Sequence, residues 1–209
     1  MSQALVNFLE QLGLVDQLIE IHGKLQNGRG RRHEQDALHR AGVVLTVASW
    51  QAYVEKIVAE ALALMDADIR APANATPAWA IHTFQLRRAA VLNAVKKFNT
   101  PDDVRVRDLF QDSFGFNPWS SWEWRQGPRQ WTEAETRRRT NTWVLVRHSI
   151  AHGFSLPSDV NWLQGANGHA RLTLSLLNEC RKHFVFLAER TDHGFRSHLA
   201  NAHGIANPW

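Results

Sequence analysis

Val43, Val47, Trp50, Val54, Ile57, Ala61 and Met65 follow one another at steps of four, three, four, three, four and four residues. That spacing draws a continuous apolar stripe over more than six helical turns. A stripe of that length needs partners along its whole course, so it predicts a central core helix from Glu34 to Ile69. The preceding segment, Gln3 to Gln26, carries Leu5, Phe8, Leu9, Leu12, Val15, Leu18 and Ile19 at the same period and reads as a first helix. Asn27-Gly28-Arg29-Gly30 is expected to end it, because glycine accepts the left-handed conformation beyond a helix terminus.

Further along, Pro72 to Pro77 reads as a linker, and Thr76-Pro77 as a helix start for a third helix, Ala78 to Phe98. Thr100-Pro101-Asp102-Asp103 repeats the start signal, with acidic residues in the first turn where the helix dipole favours them, and predicts a short fourth helix to about Gln111. Ser113 to Trp131 has no clear period and is expected to be a loop. Trp119, Trp122, Trp124 and Trp131 crowd into it beside Arg125 and Arg129. Two roles are open for these indoles: capping the core, or forming a stacking platform for bases. The high average burial of tryptophan favours the first. Thr132-Glu133-Ala134-Glu135 is a capping box that launches a fifth helix ending at Gly153. Pro157-Ser158-Asp159 and Gly165 bracket a short helical turn. The last long helix is expected from Ala170 to about Leu199, with Leu176 or Leu177, Cys180, Phe184 and Leu187 inward. No segment shows period-two alternation between hairpin turns, so the fold class is all-α, with about five main helices, short helices and a Trp-rich loop.

With 209 residues, 44% of them apolar, the chain is read as one domain, 1–209. Its formal charge is +4, and 19 of its 24 basic residues are arginine. Arginine keeps its charge and offers a planar fork of donors that fits phosphate, so the bias leans toward a polyanionic partner such as RNA. The single cysteine, Cys180, excludes an intrachain disulfide and a Cys-based zinc site, and points to a reducing, cytoplasmic setting. No basic, apolar leader follows Met1 and no uninterrupted apolar run is long enough for a membrane span, so neither export nor membrane insertion is expected.

The chemistry-bearing run is Arg147-His148-Ser149-Ile150-Ala151-His152-Gly153. His148 and His152 share a helix face, whereas Arg147 and His152 diverge by roughly 140° at about 100° per residue. One helix therefore does not aim Arg147 and His152 at a single atom. Cleavage of RNA by its own 2′-hydroxyl needs a base near neutrality, an acid for the leaving oxygen and a cation for the charge gathering on phosphorus. Histidine and arginine supply all three if two copies of the chain meet. The bland alternative is a helix stop, with His152 complementing the dipole, Gly153 as the left-handed cap and Arg147 paired to a carboxylate. Metal chemistry is set aside: Ser149 stands where the zinc-protease motif needs Glu, and no third ligand is identified. Ser149 and Cys180 lack a nucleophile's context and read as packing residues.

The R-H-x-x-x-H-G run resembles the motif of HEPN (higher eukaryotes and prokaryotes nucleotide-binding) domains. Val44-Leu45-Thr46-Val47-Ala48-Ser49-Trp50-Gln51-Ala52-Tyr53-Val54-Glu55 resembles the earlier core helix of the RiboL-PSP type. The resemblance covers about Glu34 to Leu199. It implies a dimerising helical bundle and, in active members, metal-independent RNA cleavage by both protomers in toxin or anti-phage defence, with no cofactor. Arg147 would then bind the phosphate, His152 would be the catalytic histidine, and His148 would fill the polar position after the arginine. Members often carry Glu where this chain has Gln51, and Glu55 is the candidate acidic helper in its place. Arg137, Arg138, Arg139 and Arg125 are candidates to track the RNA backbone, against the competing reading of a solvated basic face. Partners so implied are RNA, a second copy of the chain and an antitoxin or regulator. The competing functional reading is an inactive HEPN module that binds nucleotide, RNA or a partner protein.

Overall fold

A computed structural model describes residues 1–24, 35–127, 129–165 and 167–209. Among the described residues, six α-helices run in the order α1 (Gln3–Lys24), α2 (Asp36–Ile69), α3 (Ala78–Lys97), α4 (Asp103–Phe114), α5 (Glu133–Ala151) and α6 (Leu174–His203). Single 3-10 turns occupy Pro72–Asn74, Pro118–Ser121 and Asn161–Leu163. The Asn27-Gly28-Arg29-Gly30 helix stop lies outside the described residues.

α2 is the axis around which the rest assembles. Val43, Val47, Trp50, Val54, Ile57 and Ala61 are fully buried, as the stripe predicts, while Met65 is only partly covered. Gly42, Thr46, Ser49 and Tyr53 are buried as well, so α2 is enclosed over a broader arc than the stripe alone. α1, α5 and α6 supply that enclosure. The α2–α6 contact is close because residue 42 is glycine: a Cβ there would meet Leu177 Cδ1 at 2.6 Å. Large side chains buried on this scale contribute roughly 1.5–3 kcal/mol each. Their polar atoms are satisfied: Trp50 Nε1 donates to the Pro101 carbonyl at 3.1 Å, and the Tyr53 hydroxyl donates to the Ala188 carbonyl at 3.0 Å. α3 lies outermost, with Val91 as its buried residue.

Several boundaries differ from the sequence expectation, each for a local reason. Asp102, rather than Thr100, caps α4, accepting from the Arg105 amide at 2.8 Å. α4 continues to Phe114 because Gly115, at φ 72°, supplies the left-handed stop. α6 begins at Leu174 behind the cap Thr173, since Ala170 is held in a β-bridge to Gln164, and it extends to His203. Gly194 lies inside α6, where a Cβ would be 3.3 Å from Phe116 Cζ, so the glycine allows close approach within the helix.

The Trp-rich segment is not an irregular loop. It forms a small antiparallel hairpin, β1 (Trp124–Gln126) and β2 (Arg129–Trp131), with Trp124 opposite Trp131. Three-residue strands are too short to reveal alternation in a sequence. The indoles cap the core. Trp122 is fully buried and donates to Thr191 Oγ1 at 2.9 Å, and Trp124 stacks on Phe186 at 4.0 Å between centroids. Arg129 lies over Trp131 at 4.2 Å, and Arg137 over Trp119 at 3.3 Å, so these ring faces are already occupied rather than open to bases.

Candidate functional site

α5 starts at the expected capping box. Thr132 Oγ1 accepts from the Glu135 amide, and the Glu135 carboxylate accepts from the Thr132 amide at 2.7 Å, which holds that carboxyl below its usual range. From this start the helix divides into two faces. Thr136, Thr140 and Trp143 are buried, and Arg147 continues their line as a half-buried residue. Ala134, Arg138, Asn141, Leu145, His148 and His152 are all exposed, at steps of four, three, four, three and four. They form one solvent-facing stripe along α5.

The helix ends in a Schellman motif. Gly153, at φ 70°, is the left-handed residue; its amide donates to the Ile150 carbonyl at 3.3 Å, and the Phe154 amide donates to the Ser149 carbonyl at 2.8 Å. In such a motif the residue after the glycine usually folds an apolar side chain back on the helix. Phe154 instead stays 59% exposed and stacks beside His152, 5.8 Å between centroids at 25°. His148 and His152 are themselves 4.3 Å apart. Two imidazoles and a phenyl ring thus form one exposed aromatic cluster at the end of the stripe. Sequence reasoning named the histidines and missed Phe154; an apolar residue directly after a cap glycine was the available signal.

Arg147 is not part of that cluster. Its Nε is buried and without a hydrogen-bond partner, and among the described residues it enters no ion pair. The carboxylate partner of the bland reading is therefore not found there. Within one chain Arg147 and the two histidines stay on separate sides of α5, as the helical angle predicts.

The other candidate cations behave differently from one another. Arg137 is committed to structure: its Nε donates to the buried Asp103 carboxylate at 2.6 Å, and it also pairs with Glu133 at 3.2 Å. Arg139 pairs with Glu179 and lies 3.4 Å over Trp162, and burial lowers its pKa despite the nearby carboxylate. Neither is available to track a phosphate backbone. Arg125 is exposed but paired with Glu123. Arg138 is exposed on the stripe and lines a groove of about 420 Å³ with Asn141 and Leu145.

Glu55 does not reach the histidines. It accepts from Gln51 Nε2 at 2.9 Å, and the same amide donates to the Phe98 carbonyl at 3.0 Å. Contacts along the bundle explain the separation. α6 meets Gly42 at Leu177 and Tyr53 at Ala188, whereas the chain entering α5 meets His183 at Trp131 and Glu179 at Arg139. α5 therefore runs toward the Gly42 end of α2, and Glu55 lies toward the other end. Cys180 is fully buried, its thiol pushed up by desolvation, and Ser149 is buried too, so both are packing residues as expected. Among the described residues, no group of three or more His, Cys, Asp or Glu side chains is placed to hold a metal ion. No described helix is long and apolar enough to cross a membrane.

A family model described as RiboL-PSP-HEPN matches residues 13–192. The chain belongs to that HEPN family. The match begins within α1, earlier than the Glu34 start expected for the resemblance, so the HEPN unit here includes much of the helix that lies along α2. No curated protein and no solved structure matches the chain. HEPN membership points to a nucleotide- or RNA-related function.

Proposed function

We propose that this HEPN chain is a metal-independent endoribonuclease whose site is completed by a second copy of the chain. The observation that carries the reading is the division of labour on α5: both histidines stand exposed at the end of a stripe that also presents Leu145, while Arg147 lies around the helix from them. An exposed stripe with an apolar centre is suited to an isologous contact, in which each residue meets its equivalent across a two-fold axis. Two such ends would bring four imidazoles around one phosphodiester, with the Arg147 of each copy approaching it from the flank of its helix.

At that composite site one imidazole takes the proton of the 2′-hydroxyl as the 2′-oxygen bonds to phosphorus. A second gives its proton to the 5′-oxygen as the P–O5′ bond breaks. The products are a 2′,3′-cyclic phosphate and a 5′-hydroxyl end. Arg147 offsets the charge on the phosphoryl oxygens, which the negative end of the α5 dipole would otherwise disfavour. Arg138 is the candidate for a flanking phosphate. The setting so proposed is cytoplasmic, in toxin or anti-phage defence under a regulatory partner.

The test is incubation of the purified protein with mixed RNAs in EDTA beside the His152→Ala and Arg147→Ala variants. Cleavage by the parent that both variants lose is the expected result. No cleavage of any RNA, or equal cleavage by the variants, sinks the proposal; RNA binding without cleavage would instead fit an inactive HEPN module.

A further inference from the structure

From Ile69 to Pro101 the chain carries no Asp or Glu, while Arg70, Arg87, Arg88, Lys96 and Lys97 fall within that run. α3 makes up most of it. This helix is held to the bundle by its inner side, with Val91 as its buried residue. On the outer side Trp79, Thr83, Leu86, Ala90, Asn93 and Lys97 follow at steps of four, three, four, three and four, and all are exposed.

Trp79 decides what such a face suits. At 73% exposed it is the most open large apolar side chain among the described residues. Every other tryptophan sets its ring near another aromatic ring or an arginine. The ring of Trp79 meets neither among the described residues, so the open indole that the Trp-rich segment lacks is found on α3.

The cations beside it are also open. Lys96 and Lys97 are exposed and enter no ion pair among the described residues, and Arg87 donates to the Asp112 backbone carbonyl rather than to a carboxylate. Carboxylates border α3 without lying on it: Asp66 is held by Arg70 and Gln85, Asp68 accepts from Asn74, and Asp112 stands on α4. An unstacked indole on an acid-free basic helix combines a base platform with a track for phosphates. From Trp79 to Lys97 the stripe is about 27 Å long at 1.5 Å per residue, room for a few nucleotides of extended strand. Other occupants fit less well. A membrane surface needs a broad apolar face, and here only Trp79 and Leu86 are large and apolar, between Thr83, Asn93 and alanines. A second copy of α3 would bring the same cations and no carboxylate to meet them.

We propose that the outer face of α3 binds single-stranded RNA, with a base stacked on Trp79 and phosphates passing Arg87, Lys96 and Lys97. The surface lies apart from the α5 motif: α3 meets α2 at Asp66 through Gln85 and its end meets Gln51, whereas α5 runs toward the Gly42 end. It goes beyond the nuclease reading, because it would hold RNA in an active or an inactive HEPN chain alike.

Fluorescence anisotropy with a labelled single-stranded oligouridylate tests it, in the full His152→Ala chain so that cleavage does not consume the probe. Trp79→Ala in that background should weaken binding by about tenfold, with Trp79→Phe restoring much of it. Lys96→Ala with Lys97→Ala should weaken binding at low salt and make the logarithmic salt dependence shallower by about one. The melting temperature should not move in either, since these side chains are exposed. Absence of RNA binding overturns the proposal, as does binding that the α3 variants leave intact and Arg138→Ala alone removes, which would place the strand on α5. Capture by phosphatidylglycerol vesicles that Trp79→Ala abolishes, with RNA binding unchanged, would assign the face to a membrane and overturn it too. Failure of the parent to cleave RNA would sink the nuclease reading and leave this test standing, because it reads binding alone.

Discussion

The imidazoles of His148 and His152 lie 4.3 Å apart on the exposed side of α5, whereas Arg147, the neighbour of His148 in sequence, has its Nε buried. Adjacent residues on a helix differ by about 100° in direction, so the motif cannot close on itself. His152 stands at the C-cap of α5 and stacks beside Phe154, which makes the helix ending testable.

Gly153 at φ 70° is that ending, and its Cβ position meets open space, so only backbone strain opposes a side chain there. Gly153→Ala should cost on the order of 1 kcal/mol through the left-handed conformation. It should also release the Phe154 amide from Ser149 and loosen the His152–Phe154 stack. Thermal unfolding would register a small loss, and RNA cleavage a larger one. Equal, negligible effects on both would show that the Schellman ending does not position His152.

Arg137 and Arg138 are neighbours with opposite prospects. Arg137 neutralises Asp103, whose side chain is 4% exposed and which also accepts from Asn141 Nδ2 at 2.8 Å. Arg137→Ala leaves that carboxylate buried without its cation and should cost on the order of 2 kcal/mol. Arg138→Ala removes an exposed side chain and should leave the melting temperature unchanged while weakening RNA binding at low salt. A melting temperature that falls equally in both variants would contradict this division.

The run Arg137-Arg138-Arg139 shows what the sequence could and could not disclose. Helix periods, the Thr132 capping box and the Gly153 stop were all readable, because each depends on neighbours a few residues away. The α2 stripe foretold the core for the same reason. The partners of Arg137 and Arg139 are Asp103 and Glu179, tens of residues distant, and no local rule pairs them. The hairpin at Trp124 to Trp131 was hidden by strands shorter than any detectable period. The angle between Arg147 and His152 was legible from helix geometry alone; the exposure of Phe154 was not, since a cap glycine says where the next residue sits but not what covers it.

His183 is fully buried between Thr140 and Trp124, and burial, followed by the charges of Arg139 and Arg129, lowers its pKa from 6.5 to about 3. The sign follows from linkage: between those values the unfolded chain binds a proton that the folded chain refuses, so acid favours unfolding. The penalty is absent well above pH 6.5 and grows as the pH falls below it, until the folded pKa is reached. In His183→Gln this slope should vanish between pH 6 and pH 4. Denaturant unfolding of both proteins across that range would show it; parallel pH profiles would place the acid sensitivity elsewhere.

Leu145 is 48% exposed at the middle of the α5 stripe, one turn from His148. About half of that apolar side chain is left uncovered in a single chain, and in an isologous contact it would meet its own copy. Leu145→Glu would then place two carboxylates against each other in a desolvated contact, a repulsion that opposes association without touching the core. The variant should keep the parent's helical circular dichroism and melting temperature at low concentration, sediment as a monomer where a dimer is expected of the parent, and lose RNA cleavage by at least about a hundredfold, as expected when acid–base groups are separated. Cleavage at the parent's rate by a Leu145→Glu monomer would show that one chain holds a complete site, and Arg147 and His152 would then have to converge by a movement of the helix end.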